Sequence, residues 1–196
     1  MSKTSVRRSI AFDPEPGCWS YPHGKKPSII AAFAAFIGVI VNIGAIRVCD
    51  FLSRDITLTG RSEDSMSHSV GLWAYESPTS GDCYTYPSTF EADDELYVAQ
   101  TFSIVSSVLG GVAALSLASL ACNVMSSNQR KLLVGILIFV VICEGQLFWI
   151  FNGDGCVGEK RSCEMASGSV QAIVSMFFYL VAAILTAKLP DGKSPE

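Results

Sequence analysis

The sequence predicts an all-α membrane protein: a four-helix transmembrane bundle with a small extracellular antiparallel β-sheet formed by the first external loop. Three observations lead there. Apolar residues gather in four long blocks, charged residues make up only 16% of the chain and crowd between the blocks, and the basic residues flank alternate block ends. A soluble domain of this size carries about 25% charge. Four apolar helices in 196 residues leave no segment to cover their outer faces, so lipid must cover them.

Residues 1–28 are polar, contain Pro14, Pro16, Pro22 and Pro27, and read as a cytoplasmic N-terminal tail. No short apolar core lies near Met1, so the first block is expected to stay as a span. Pro27 and Ser28 suit the first helical turn. The spans are expected at about 29–48, 98–125, 132–151 and 170–187. Each meets or approaches the roughly 20 residues that cross a bilayer core of ~30 Å. Residues 29–187 thus form one membrane domain with external loops at 49–97 and 152–169, followed by a C-terminal tail at 188–196.

Lys3, Arg7, Arg8, Lys25 and Lys26 lie in the first tail, Arg130 and Lys131 in the tight second-to-third connection, and Lys188 and Lys193 in the last tail. The two longer loops hold nearly all the acids, including Asp50, Asp55, Glu63, Asp64, Glu76, Asp82, Glu159 and Glu164. The positive-inside tendency places both termini in the cytoplasm and makes the external face acidic. The expected location is the plasma membrane.

Within the first loop, residues 56–59, 69–75 and 83–86 read as strands. The turn-rich stretch 76–82 joins the last two into a hairpin over the bundle. A hairpin alone is marginal, so a third strand, a disulfide or packing on helix ends is required. An external location permits oxidation of Cys49, Cys83, Cys156 and Cys163. Six residues separate Cys156 from Cys163, which allows a small ring, with Cys49 and Cys83 as the remaining pair. A cross-link between the loops is the rival, and four cysteines admit three connectivities. Cys18, Cys122 and Cys143 are expected to be free thiols. With no CxxC pair and no Cys/His cluster, no metal site is expected, and no Asn-x-Ser/Thr sequon occurs.

Small residues drive helix contact in lipid. Ser106, Gly110, Ala114, Ala118 and Cys122 recur every four residues in the second span, and Ala34, Gly38 and Asn42 share a face of the first. These stripes predict the tightest contact between those two helices, within one chain rather than as a dimer face. Glu144 is the acid deep inside a span, roughly 12 Å below the external end of the third helix at helical rise. Asn42 lies at similar depth. Glu144 is expected to clamp the first helix to the third, with an ion or proton site as the competing role.

Gly71-Leu72-Trp73 followed by Cys83, and the segment ELYVAQTFSIVSSVLG at 95–110, within this order of spans and loops, resemble the claudin and peripheral myelin protein superfamily. The resemblance covers most of 29–187 in layout and about 40 residues in detail. It implies a left-handed four-helix bundle topped by a small antiparallel sheet, with Trp73 bracing the loop against the helices near the membrane surface. It also implies a non-enzymatic role in adhesion, as an auxiliary subunit of a membrane complex, or in membrane organisation. The chain departs from the family pattern. Tyr75 and Glu76 stand where a first loop cysteine would follow the signature, no Trp precedes Gly71 after Cys49, and Gln100 replaces a frequent Arg. These mark a divergent member. The expected partners are the lipid bilayer and other membrane proteins or further copies of the chain, without nucleic acid, and no cofactor or catalytic residue is expected. A membrane thiol oxidoreductase is the enzyme rival, and the activated CxxC it needs is missing. An ion channel or transporter component using Glu144 is the remaining alternative.

Overall fold

The computed structural model describes residue 23 and residues 25–57, 65–77, 80–87, 89, 92–120, 122–153, 156 and 161–190. Four long helices carry the fold: α1 (Lys25–Arg47), α2 (Asp94–Ser119), α3 (Ser127–Gln146) and α4 (Ser167–Ala187). A 3-10 turn, Leu147–Asn152, prolongs α3. Each helix, with α3 counted through this turn, is long and apolar enough to cross a membrane.

Local chemistry sets the helix ends. Asp93 caps α2 by accepting the Leu96 N–H at 2.9 Å, and Asp94 and Glu95 favour the same end electrostatically. Ser126 and Gln129 form a reciprocal capping box at α3. The box starts α3 five residues before the expected apolar boundary at 132, and α2 stops at Ser119 rather than at 125. Cys122 therefore lies in the connection, not in a span. Contrary to expectation it is disulfide-bonded, to a partner outside the described residues. Cys18 also lies outside the described residues, while Cys143 is free and buried.

The bundle is small inside and large outside. Ala31, Ala35, Ala45, Ala113, Ala172 and Ala182 are fully buried, whereas Phe33, Ile40, Leu115, Leu132 and Phe177 are more than 60% exposed. In water this arrangement would be strongly unfavourable; with lipid as solvent, large side chains face the acyl chains and small ones let backbones approach. The chain is thus an integral membrane protein by the length, composition and outward apolar faces of its helices.

The helices form a ring in which α1 packs most extensively on α4, not on α2 as the stripes suggested. Tyr179 of α4 is the cause. Its ring lies so close to Gly38 and Gly110 that a Cβ at either would stand 3.2 Å or 2.8 Å from Tyr179 Cζ. Ala114 is buried as expected, but Ala118 faces outward. A four-residue step overshoots one turn by about 40°, so a stripe that begins inside rotates out within three steps.

The sheet has five antiparallel strands in the order β4-β3-β2-β1-β5: β1 (Leu52–Thr57), β2 (Ser65–Val70), β3 (Ala74–Glu76), β4 (Cys83–Thr85) and β5 (Arg161–Met165). It is not built by the first loop alone, as expected, because β5 comes from the second loop and pairs Leu52 with Met165. The expected strand at 69–75 breaks at Gly71-Leu72-Trp73, which turns the chain between β2 and β3. Disulfides join Cys49 to Cys83 and Cys156 to Cys163, so each loop is closed within itself. Phe51, Leu52, Leu72, Leu96, Ala99, Leu147 and Ile150 are buried together and seat the sheet on the helix ends.

Candidate functional site

Polar side chains from all four helices meet at the bundle centre. Asn42 on α1 donates from Nδ2 to Ser106 Oγ at 3.2 Å and to Ser107 Oγ at 3.4 Å on α2. Ser106 and Ser107 in turn donate to the Ser103 carbonyl. Ser175 Oγ on α4 lies 2.9 Å from Glu144 Oε1 on α3 and 2.9 Å from the Gly38 carbonyl on α1. Asn42, Ser106, Glu144, Ser175 and Tyr179 are all at 0% exposure. Sequence spacing stacks them: Gly38 and Asn42, Ser106 and Gly110, and Ser175 and Tyr179 are each one turn apart.

Glu144 hydrogen-bonds across helices, but not directly from α3 to α1 as expected. It reaches α4, and Ser175 passes the link to α1 through the Gly38 carbonyl. Asn42 ties α1 to α2 instead. The serine relay was missed because a serine within an apolar span carries little signal of its own. At this centre Glu144 Oε2 has no hydrogen-bond partner among the described residues. Among the described residues, no group of three or more His, Cys, Asp and Glu is placed to hold a metal ion.

A second assembly sits where the sheet meets the helices, around Gly71-Leu72-Trp73. A Cβ on Gly71 would stand 2.8 Å from Cys49 Cα and clash with the Val48 carbonyl, so only glycine fits there. The Gly71 N–H donates to the Ala74 carbonyl at 2.8 Å, and the Tyr86 hydroxyl donates to the Gly71 carbonyl at 2.9 Å. Leu72 is fully buried, and its carbonyl accepts from Gln100 Nε2 at 2.8 Å. Trp73, 39% exposed, donates from Nε1 to Ser103 Oγ at 3.4 Å. Gln100 thus has a definite task on α2, holding the loop by its backbone.

Tyr86 stacks on Tyr75 with centroids 5.6 Å apart, and Tyr75 lies beside Tyr84 on β4. Burial above all, then the charge of Asp93 and the neighbouring Tyr75, pushes the Tyr86 phenol up to about 12. Cys83 anchors the neighbouring strand end to Cys49, at the C-terminal end of α1. The edge strand β4 is exposed throughout.

At the opposite end, His23 is buried at 2% exposure between the α2–α3 connection and the segment after α4. A lone histidine in a polar tail gave no sequence cue to this. No protein-family model and no curated protein matches this chain.

Proposed function

We propose that the chain is a non-enzymatic, claudin-like integral membrane protein, with both termini cytoplasmic and the sheet on the outer face of the plasma membrane. It serves as a structural or adhesive element or as the auxiliary subunit of a membrane complex. The observation that carries this reading is the seating of Gly71-Leu72-Trp73. Gln100, which donates to the Leu72 carbonyl, and Ser103, which accepts from Trp73, pin the motif to α2; the Tyr86 hydroxyl holds Gly71 within the loop, and the Cys49–Cys83 disulfide ties the loop back to α1. The result is a braced sheet at a fixed height above the helices, a device for presenting a surface rather than for turning over a substrate. Its edge strand β4 leaves backbone groups and Tyr84 outward, as a docking element requires. Ser175 and Glu144, the nearest thing to a reactive pair, are sealed at 0% exposure and serve as a link.

Affinity purification in mild detergent, with identification of co-purifying membrane proteins, tests the proposal. The expected result is a stoichiometric membrane partner or a self-assembled oligomer, lost when Gly71→Val unseats the sheet. A monomer without partners that oxidises thiols would contradict it.

A second reading has one observation in its favour, the Glu144 Oε2 oxygen that ends without a hydrogen bond among the described residues at the centre. Buried polar groups are normally satisfied, and exceptions mark sites that handle ions or protons. In that case flux across proteoliposomes would vanish in Glu144→Ala; absence of flux in the wild type removes this reading.

A further inference from the structure

One imidazole ties together three stretches of chain at the end of the bundle opposite the sheet. His23 stands just before α1, at 2% exposure. Its Nε2 accepts the backbone N–H of Met125 at 2.7 Å, in the α2–α3 connection. Its Nδ1 lies 2.9 Å from the carbonyl oxygen of Pro190, beyond the end of α4. An amide N–H only donates and a carbonyl only accepts, so the two contacts fix the ring. Nδ1 carries the proton and Nε2 is bare. Beside it, Arg130 donates to the Leu189 carbonyl, and Ser126, next to Met125, caps α3.

We propose that His23 is a proton-operated latch on the α2–α3 connection. A proton taken up at Nε2 turns the acceptor into a donor that faces the Met125 N–H, and that bond breaks. The bond from Nδ1 to the Pro190 carbonyl survives, because its donor is unchanged. Protonation therefore releases one partner selectively.

Among the described residues the charged groups at this end are Lys25 and Lys26 on α1, Arg130 and Lys131 on α3, and Lys188 after α4; α2 brings none. Among the described residues no Asp or Glu lies there to pair with an imidazolium. An imidazolium Nε2 carries a proton and cannot accept the Met125 N–H, so that bond is lost whatever else lies near the ring. Met125 also lines a cleft of about 480 Å³ with Ser119, Leu120, Gln129 and Leu133, so its release alters one wall of that cleft.

The test is ¹⁵N NMR of the full chain in nanodiscs, acidified stepwise from about pH 8 until the His23 ring nitrogens report the imidazolium; a ring that stays neutral until the fold is lost would overturn the proposal. The chain has two histidines, and His68 lies in β2 at the other end, so the His23 signals can be assigned by substitution. At high pH the shifts should report a protonated Nδ1 and a bare Nε2, with a slowly exchanging Met125 amide. As the ring charges, protection of that amide, corrected for intrinsic exchange, should fall about tenfold, the worth of one hydrogen bond. His23→Gln has an oxygen to accept from Met125 and an NH₂ to donate to Pro190, and should keep its Met125 protection throughout the titration. Met125 protection that persists while the wild-type ring charges would overturn the proposal, whether or not the variant folds. Equal loss in wild type and His23→Gln would do the same.

Discussion

Ser175 has one hydroxyl proton and two acceptors at 2.9 Å, Glu144 Oε1 and the Gly38 carbonyl, and this imbalance makes a sharp expectation for Glu144. In Glu144→Gln the new amide donates to Ser175 Oγ and frees the serine proton for Gly38. Folding and thermal stability in detergent should be kept or slightly improved. Glu144→Leu removes the relay and should cost about 1–2 kcal/mol, the range for hydrogen bonds between membrane helices. A Gln variant as damaged as the Leu variant would mean that charge, not bonding, holds this centre. Tyr86 makes the second residue-level case. Its folded value of about 12 lies above the ordinary phenol value, so the fold favours the neutral form. That contribution is complete below about pH 10 and is lost as pH rises through the folded value. Near-UV circular dichroism should show a steep alkaline loss of structure that Tyr86→Phe blunts, although Phe also forfeits the bond to Gly71.

At the scale of elements, the four helices were legible because lipid imposes a length and a composition that few other environments do. Their ends were not, because caps decide them: Asp93 starts α2 four residues before the apolar block begins at 98, and Ser126 starts α3 within a polar stretch. The order of packing was hidden as well. Small-residue stripes state which faces allow close approach, and the one bulky ring that fills the gap, Tyr179, chose α4 as the main partner of α1. In the sheet, the motif at 71–73 was recognised but read as part of a continuous strand, whereas the Gly71 N–H turns back to the Ala74 carbonyl, and the close approach of Val48 and Cys49 admits only glycine at 71. The fifth strand lay in a stretch of Arg161, Ser162 and Glu164 without alternating apolar residues. It forms because β1 offers it a free edge and the Cys156–Cys163 bond holds the loop beside that edge.

Taken whole, the molecule has a polar cap on one end of a lipid-facing bundle. Oxidised cysteines do not by themselves assign the outer side, since Cys122 is bonded at the end away from the sheet while Cys49, Cys83, Cys156 and Cys163 are bonded beside it. The proposed assignment rests on the basic residues: among the described residues, Lys25, Lys26, Arg130, Lys131 and Lys188 gather at the Cys122 end. The account depends on these two ends lying on opposite sides of a bilayer. The most direct measurement is labelling of intact cells with a membrane-impermeant maleimide, using the exposed positions Ser80 and Asn128 as single added cysteines. Among the described residues the free thiol is Cys143, which is buried and gives little background. Ser80→Cys should label from outside, and Asn128→Cys only after the cells are permeabilised. Labelling of both in intact cells would show that the helices do not separate them, and labelling of Asn128→Cys alone would invert the molecule.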